Sequence, residues 1–384
     1  MNEATQEIPS QKDDSPRKRR RKQDKLVPAT AEVQLAFHTA LTGTPENTGY
    51  TLDFFEAIPK FKLSRQRYTD KPQIWETTFR WADQEIPVQI YPALVQRDPK
   101  KPTLHAIIPG PREEIVWRVL IELAAEQAAT STVSQMSQAE KVAFAPVRFS
   151  LFGLRERLAS RGKTYRVSEI RETLLVLKRA ECSLSHPLGA PLEDYSNYIS
   201  HLHFRGEKLE DGTIADSCLA YLNPMATSAI LNFRCWPIDN ARLLKLSLPL
   251  ARWLITRISN RYRQADQMDI LTGASYHLML STILRESGIE REPRLRNSIA
   301  RVRAAIKECT EAGYFAEFKP YTEEICPAAG SNRKDAIADV KWTFFPSGVL
   351  IDNIVNGNDT MKSRKKLHAQ TSADALRWPK KPGV

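Results

Sequence analysis

Residues 112–127 (REEIVWRVLIELAAEQ) place Ile115, Val119, Leu120 and Leu123 at helical spacing directly after Pro109-Gly110-Pro111. Acids occupy the first turn, where the helix dipole favours them, so the pattern predicts a helix. Val147-Arg148-Phe149 leads into a second helix, Leu151 to Leu158, closed by Ala159-Ser160-Arg161-Gly162. Ser168-Glu169-Ile170-Arg171-Glu172 opens a third, with Ile170, Leu174, Leu177 and Glu181 on one stripe. Cys182 to His186, Tyr198 to Gly206 and Thr213 to Leu222 then read as strands, joined by turn-forming Pro187-Leu188-Gly189 and Asp211-Gly212. Helix-turn-helix followed by a β-ribbon is the order of a winged helix.

The same order returns further along. Leu248 to Tyr262 carries Leu250, Leu254 and Ile258 in register, Ala274 to Glu286 predicts a second helix, and Pro293 to Ala312 a third that Gly313 ends. Tyr314 to Lys319 and Val340 to Phe345 read as a hairpin around a polar loop, and Ser347 to Val355 as a short closing helix. The expected fold is therefore α+β, two tandem winged-helix domains, each a helix-turn-helix plus a β-hairpin wing, flanked by disordered basic tails. Residues 1–30 are a basic arm with nothing apolar to bury, and 359–384 a basic tail. Residues 31–103 form an N-terminal segment with short strands or an extended wrapping stretch between Ile58 and Gln96, where Trp75-Glu76-Thr77-Thr78-Phe79-Arg80-Trp81 alternates. The first winged helix spans 104–235 and the second 236–358.

Composition changes this picture little. The chain has 384 residues with 42% hydrophobic and 26% charged, an ordinary globular balance that excludes collagen-like, wholly disordered and disulfide-scaffold classes. The charge-free stretch Ser217 to Phe233 contains Asn223-Pro224 and several hydroxyls, unlike the roughly 20 apolar residues of a membrane span. The acidic Met1 to Ile8 is not a signal peptide, and five widely spaced cysteines read as reduced thiols in a cytosol. Of the net charge of +11, residues 1–30 supply +3 and residues 360–384 supply +6. The run Arg17-Lys18-Arg19-Arg20-Arg21-Lys22 fits a solvated charge run, an electrostatic tether to nucleic acid or a nuclear address. The body keeps so little that any nucleic-acid surface on it must be a local patch.

The catalytic signatures that the sequence suggests are incomplete. Gly162-Lys163-Thr164 resembles the end of a phosphate-binding loop, but the leading glycine is replaced by Arg157 and no strand precedes it. His201-Leu202-His203 puts His201, His203 and Arg205 on one strand face, the spacing of a metal-dependent nicking endonuclease; a third ligand and a suitable tyrosine are not supplied by Tyr262-Arg263-Gln264-Ala265. No G-x-S-x-G or H-E-x-x-H motif occurs, so neither catalytic residue, cofactor nor metal is expected.

The helix from Pro293 carries the most chemistry. Leu295, Ile299, Val302, Ile306 and Cys309 fall within about 80° of one another as a core stripe. Arg296, Arg303 and Lys307 line one flank, Arg294 and Arg301 the other, and Asn297 faces outward, a face suited to a major groove where Arg pairs with guanine and Asn with adenine. In the first unit Glu169 and Glu172 dilute Arg171, Lys178 and Arg179, and the basic turn Arg161, Lys163 and Arg166 suits phosphate contacts.

This order of parts resembles the iteron-binding plasmid replication initiators, the tandem winged-helix Rep family, over about residues 104–355. The TrfA/RepA-like layout is similar in Arg112-Glu113-Glu114-Ile115-Val116-Trp117-Arg118-Val119-Leu120 and in Leu248-Pro249-Leu250-Ala251-Arg252-Trp253-Leu254. The resemblance implies a bacterial cytoplasmic protein at the nucleoid or plasmid that binds origin iterons in double-stranded DNA and recruits a host replication initiator and the replicative helicase. It also implies a monomer–dimer equilibrium joined through the first winged helix, with plasmid copy control. A winged-helix repressor without origin activity, and a nicking endonuclease using His201 and His203, remain the alternatives.

Overall fold

The computed structural model describes residues 48–52, 58–63, 67–68, 72–81, 84–96, 103–130, 146–185, 193–208, 214–223, 235–261, 276–290, 292–327 and 337–355, with a few single positions besides. The basic arm, the basic tail, the turns at Pro187-Leu188-Gly189 and Asp211-Gly212, and Tyr262-Arg263-Gln264-Ala265 lie outside the described residues.

Strand β1 (Thr48–Leu52) is followed by the hairpin β2 (Trp75–Trp81) and β3 (Gln84–Tyr91), then by β4 (Ala93–Gln96) and β5 (Leu104–Ile107). Alternation makes these strands: Ile86, Val88 and Ile90 are buried on β3 between exposed Glu85 and Pro87. Helix α1 (Pro111–Thr130) starts where Glu113 turns back to accept the Gly110 N–H at 3.0 Å, satisfying a donor that the helix leaves open. After β6 (Pro146–Phe149), α2 (Leu151–Ser160) is capped by Ser150, whose hydroxyl accepts from Gly153 N at 2.8 Å. Gly162, at φ 75°, turns the chain toward α3 (Val167–Arg179), and Glu169 accepts the Arg166 N–H at 2.8 Å. Strands β7 (Glu181–Ser185), β8 (Glu193–Asn197), β9 (Ile199–Lys208) and β10 (Ile214–Leu222) complete the first unit.

β6, β10 and β9 form a three-stranded antiparallel sheet in that order, so the strand entering the helix-turn-helix pairs with the second strand of the following hairpin. β7 does not join that ribbon, contrary to expectation. It is inserted between β3 and β8 in the sheet β2-β3-β7-β8, because its alternating Cys182 and Leu184 meet the apolar face that β3 already presents.

The second unit opens with β11 (Cys235–Asp239), paired with β1, and α4 (Asn240–Lys245), capped by Asp239. It continues with α5 (Pro249–Arg261), β12 (Tyr276–Met279), α6 (Leu280–Glu286), α7 (Leu295–Glu311), β13 (Tyr321–Pro327), β14 (Ile337–Phe344) and a terminal helical turn at 348–355. Its sheet runs β12-β14-β13, the same first-third-second order. Two sequence expectations shift here. The helix expected from Ala274 begins only at Leu280, because Tyr276–Met279 pairs with β14 instead. The strand expected at Tyr314–Lys319 lies at Tyr321–Pro327, and Phe315 makes only an isolated bridge to Pro346.

Each unit has its own apolar cluster, one around Trp117, Leu120, Leu158, Leu174 and Ile199, the other around Leu254, Ile258, Val302, Ile306, Trp342 and Phe344. Residues 58–63 run across both units: Lys62 N donates to Pro109 O at 2.8 Å and Leu63 N to Gly288 O at 2.7 Å. Among the described residues no helix is long and apolar enough to cross a membrane.

Candidate nucleic-acid interface

Helix α7 buries Ile299, Val302, Ile306 and Cys309 and leaves Leu295 partly exposed at its start. The stripe fixes which side chains face solvent. Arg294, Arg296 and Asn297 are exposed around the first turn, and among the described residues none of the three side chains has a hydrogen-bond or ion-pair partner. No acid sits in that turn, so its open N–H groups and the helix dipole add to the two guanidiniums.

Further along the helix the basic residues have partners that spacing did not reveal. Arg301 reaches Glu292 at 3.0 Å and the Glu290 carbonyl at 3.3 Å. Arg303 makes a bidentate contact to Glu323 on β13, at 3.0 and 2.5 Å, and Trp342 Nε1 donates to the same carboxylate at 3.2 Å. The Arg303 hydrogen bonds hold the Glu323 carboxyl below the ordinary carboxylate range and tie α7 to its hairpin. Lys307 pairs loosely with Glu311, one turn on, at 3.7 Å and stays exposed. The open face of α7 is therefore its N-terminal end, with Arg303 acting as a brace across to the sheet.

In the first unit Arg166 and Arg171 are exposed, and Arg171 lies 4.9 Å over the Phe204 ring of β9. Lys178 is half-buried, and Arg179 donates to the Leu94 carbonyl at 2.7 Å. The expected diluting acids are occupied. Glu172 accepts from Arg112 and, at 3.2 Å, from the Tyr68 hydroxyl, while Arg67 holds Glu113 in a bidentate pair at 2.7 Å for each bond. Burial alone would raise the Glu172 carboxyl, but the bonds and charges of Arg112 and Arg67 bring it below its usual value. Glu169 lies 3.8 Å from Arg112 as well. The negative charge that the sequence places on α3 is thus largely neutralised from beneath.

Two of the expected phosphate contacts point into the protein. Arg161 is 5% exposed and its guanidinium is bonded to Glu122 and to the Arg157 carbonyl. A buried, paired guanidinium would have to break its ion pair to reach a phosphate. Lys163 donates to the Leu246 carbonyl at 3.2 Å, and burial, then the nearby Arg252, lowers its pKa. Neither signal is visible in sequence, since Glu122 and Leu246 lie far away along the chain.

His201 and His203 are exposed on the outer face of β9, edge-on to Tyr221 at 5.9 and 6.4 Å. Among the described residues no group of three or more His, Cys, Asp and Glu side chains is placed to hold a metal ion.

No protein-family model matches the chain, and no curated protein matches it. Among solved structures, the chain is similar to a selenomethionine derivative of domains 2 and 3 of RctB, with 10% sequence identity over 81% of this chain and 98% of that one and a TM-score of 0.43. A second crystal structure of RctB domains 2–3 gives 11% identity over 78% of this chain and 98% of that one, again with a TM-score of 0.43.

Proposed function

We propose that this chain is a sequence-specific double-stranded DNA-binding protein built from two winged-helix units, and that it acts as a replication initiator at repeated origin sites. The observation that carries the DNA reading is the repeated order of helix, strand, helix, helix and hairpin, with the entering strand on the far side of the hairpin in both sheets, combined with the open Arg294, Arg296 and Asn297 on α7. In a groove, Arg294 and Arg296 supply guanidinium donors for guanine or phosphate, and Asn297 an amide for adenine. Lys307, exposed beside Glu311, adds positive potential on one flank, whereas Arg301 and Arg303 are held by Glu292 and Glu323; Arg166, Arg171 and Lys178 of the first unit contact phosphates. The chain does no covalent chemistry in this reading and needs no cofactor.

The initiator role, with a host initiator, a replicative helicase and a second copy of the chain as partners, is supported by the order of parts shared with iteron-binding initiators. The expected location is the bacterial cytoplasm, on plasmid or nucleoid DNA.

The test is selection of sites from a random duplex library by the full-length chain, followed by Arg296→Ala and Asn297→Ala. Each should cost roughly 1–3 kcal/mol on the selected site and relax preference at one base position. A plasmid carrying the gene and the selected repeats, and no other origin, should be maintained in a bacterial host whose own initiator is intact. Site binding without plasmid maintenance favours a repressor. A nicked circle with magnesium or manganese, lost in His203→Ala, favours the endonuclease. Absence of any selected sequence removes the DNA reading itself.

A further inference from the structure

Where α1 meets α5 the two apolar clusters are separated by a buried polar seam. Glu114 accepts from Arg252 Nε at 3.2 Å and Nη2 at 2.9 Å, and from Arg118 Nε at 3.0 Å; Arg118 Nη2 continues to Thr256 Oγ1 at 3.1 Å. Arg252 is 1% exposed, and its remaining nitrogen, Nη1, donates to Leu246 O at 2.9 Å. That same carbonyl receives Lys163 from the turn between α2 and α3 at 3.2 Å. On the other side, Ser247 N, Ser247 Oγ and Leu248 N donate to the Glu308 carboxylate of α7 at 2.6, 2.7 and 3.0 Å. Residues 246–248 are therefore gripped by both helix-turn-helix elements at once.

An apolar contact in this position would fix the units through side-chain shape alone, because dispersion and burial are non-directional. Charge-assisted hydrogen bonds at low local dielectric are directional and tolerate little displacement. Buried ion pairs gain little net stability over well-packed apolar residues, so geometry is their more distinctive contribution.

We infer that this seam, beside the 58–63 segment that bonds to both units, sets the separation and rotation between α3 and α7, so that the protein accepts a two-part DNA site at a single spacing. This rests on the DNA reading above and adds a spacing requirement that the reading does not contain. B-DNA turns once in about 10–10.5 base pairs, so each inserted pair rotates one half-site by about 35°. A rigid protein cannot follow an insertion of five, which carries the half-site to the opposite face.

The experiment uses the full chain and duplexes of its selected site with zero, one, two, five or ten base pairs inserted between the half-sites. Wild type should lose about ten- to a hundredfold in affinity on a five-pair insertion, the size expected when one unit loses its base contacts. Lys163→Met and Glu308→Ala, at the half-exposed rim of the seam, and Thr256→Val within it should each reduce that penalty to a few-fold. Their affinity for an isolated half-site read by α7 should stay near wild type when measured well below each variant's melting temperature, which Thr256→Val and Glu308→Ala lower by removing acceptors. Glu114→Gln serves as the deep variant where it folds, and the rim variants carry the test where it does not. A wild type indifferent to spacing, with sequence preference intact, overturns the inference and leaves the DNA reading standing. Variants that keep the full penalty also overturn it. If no sequence is selected at all, the DNA reading fails and takes the inference with it.

Discussion

Replacing Gly288 with alanine tests whether the 58–63 segment is clamped against the second unit. Gly288 has φ +75°, and a Cβ built on it would lie 2.2 Å from the Phe61 carbonyl oxygen and 3.1 Å from Trp75 Cη2. The first contact is backbone, so relief requires the segment itself to move, stretching the 2.7 Å bond from Leu63 N to Gly288 O. A left-handed conformation costs a non-glycine residue roughly 1–2 kcal/mol. Overpacking a well-filled site adds about 1–3 kcal/mol. The expected loss is therefore ~2–5 kcal/mol in urea unfolding, accompanied by faster amide exchange at Leu63. Gly162→Ala is the internal control: its φ is also +75°, but nothing lies within 4 Å of the added Cβ. It should show only the backbone cost, roughly 1–2 kcal/mol. Equal losses in the two variants, or unchanged exchange at Leu63 in Gly288→Ala, would show that Phe61 does not press on this site.

Two further predictions separate folding from recognition. Ile306→Ala removes a fully buried side chain from the α7 stripe and should cost about 2–5 kcal/mol of stability, whereas Arg296→Ala should leave melting nearly unchanged. Acid should weaken the fold through Glu114 and Glu172: burial alone would raise both carboxyls, but their arginine partners hold them below the usual 4.5. A depressed folded-state pKa contributes stability that is fully present above 4.5 and is lost as the pH falls below it. The urea midpoint should thus drop between pH 5 and pH 3, less steeply in Glu172→Gln, and a flat midpoint across that range would refute the assignment.

The helices were legible because their periodicity is local. Ile170, Leu174 and Leu177, or Ile299, Val302 and Ile306, mark a buried stripe whatever they pack against, and the observed helices follow those stripes closely. The solvent-facing placement of Arg294, Arg296 and Asn297 agrees with the same arithmetic, because among the described residues no other element packs over that end of α7. Strand partners are a different kind of information. Tyr276–Met279 reads as the start of a helix because His277, Leu278 and Met279 suit either state, and pairing with β14 decides between them. Cys182 and Leu184 announce a strand but not whether it joins the hairpin behind it or the β2–β3 hairpin a hundred residues earlier.

Charge was the least legible property. The sequence shows a basic turn at Arg161, Lys163 and Arg166 and an acid-diluted helix at Glu169 and Glu172. Folding turns Arg161 onto Glu122 and Lys163 onto the Leu246 carbonyl, and covers Glu172 with Arg112 and the Tyr68 hydroxyl. Periodicity determined which apolar stripes of the helices would be buried, but not that Arg161, Arg252 and Glu114 would be buried with them. Only the tertiary structure decided which charges remain available, because an ion pair depends on two groups brought within a few ångströms by the packing of elements that share no local pattern.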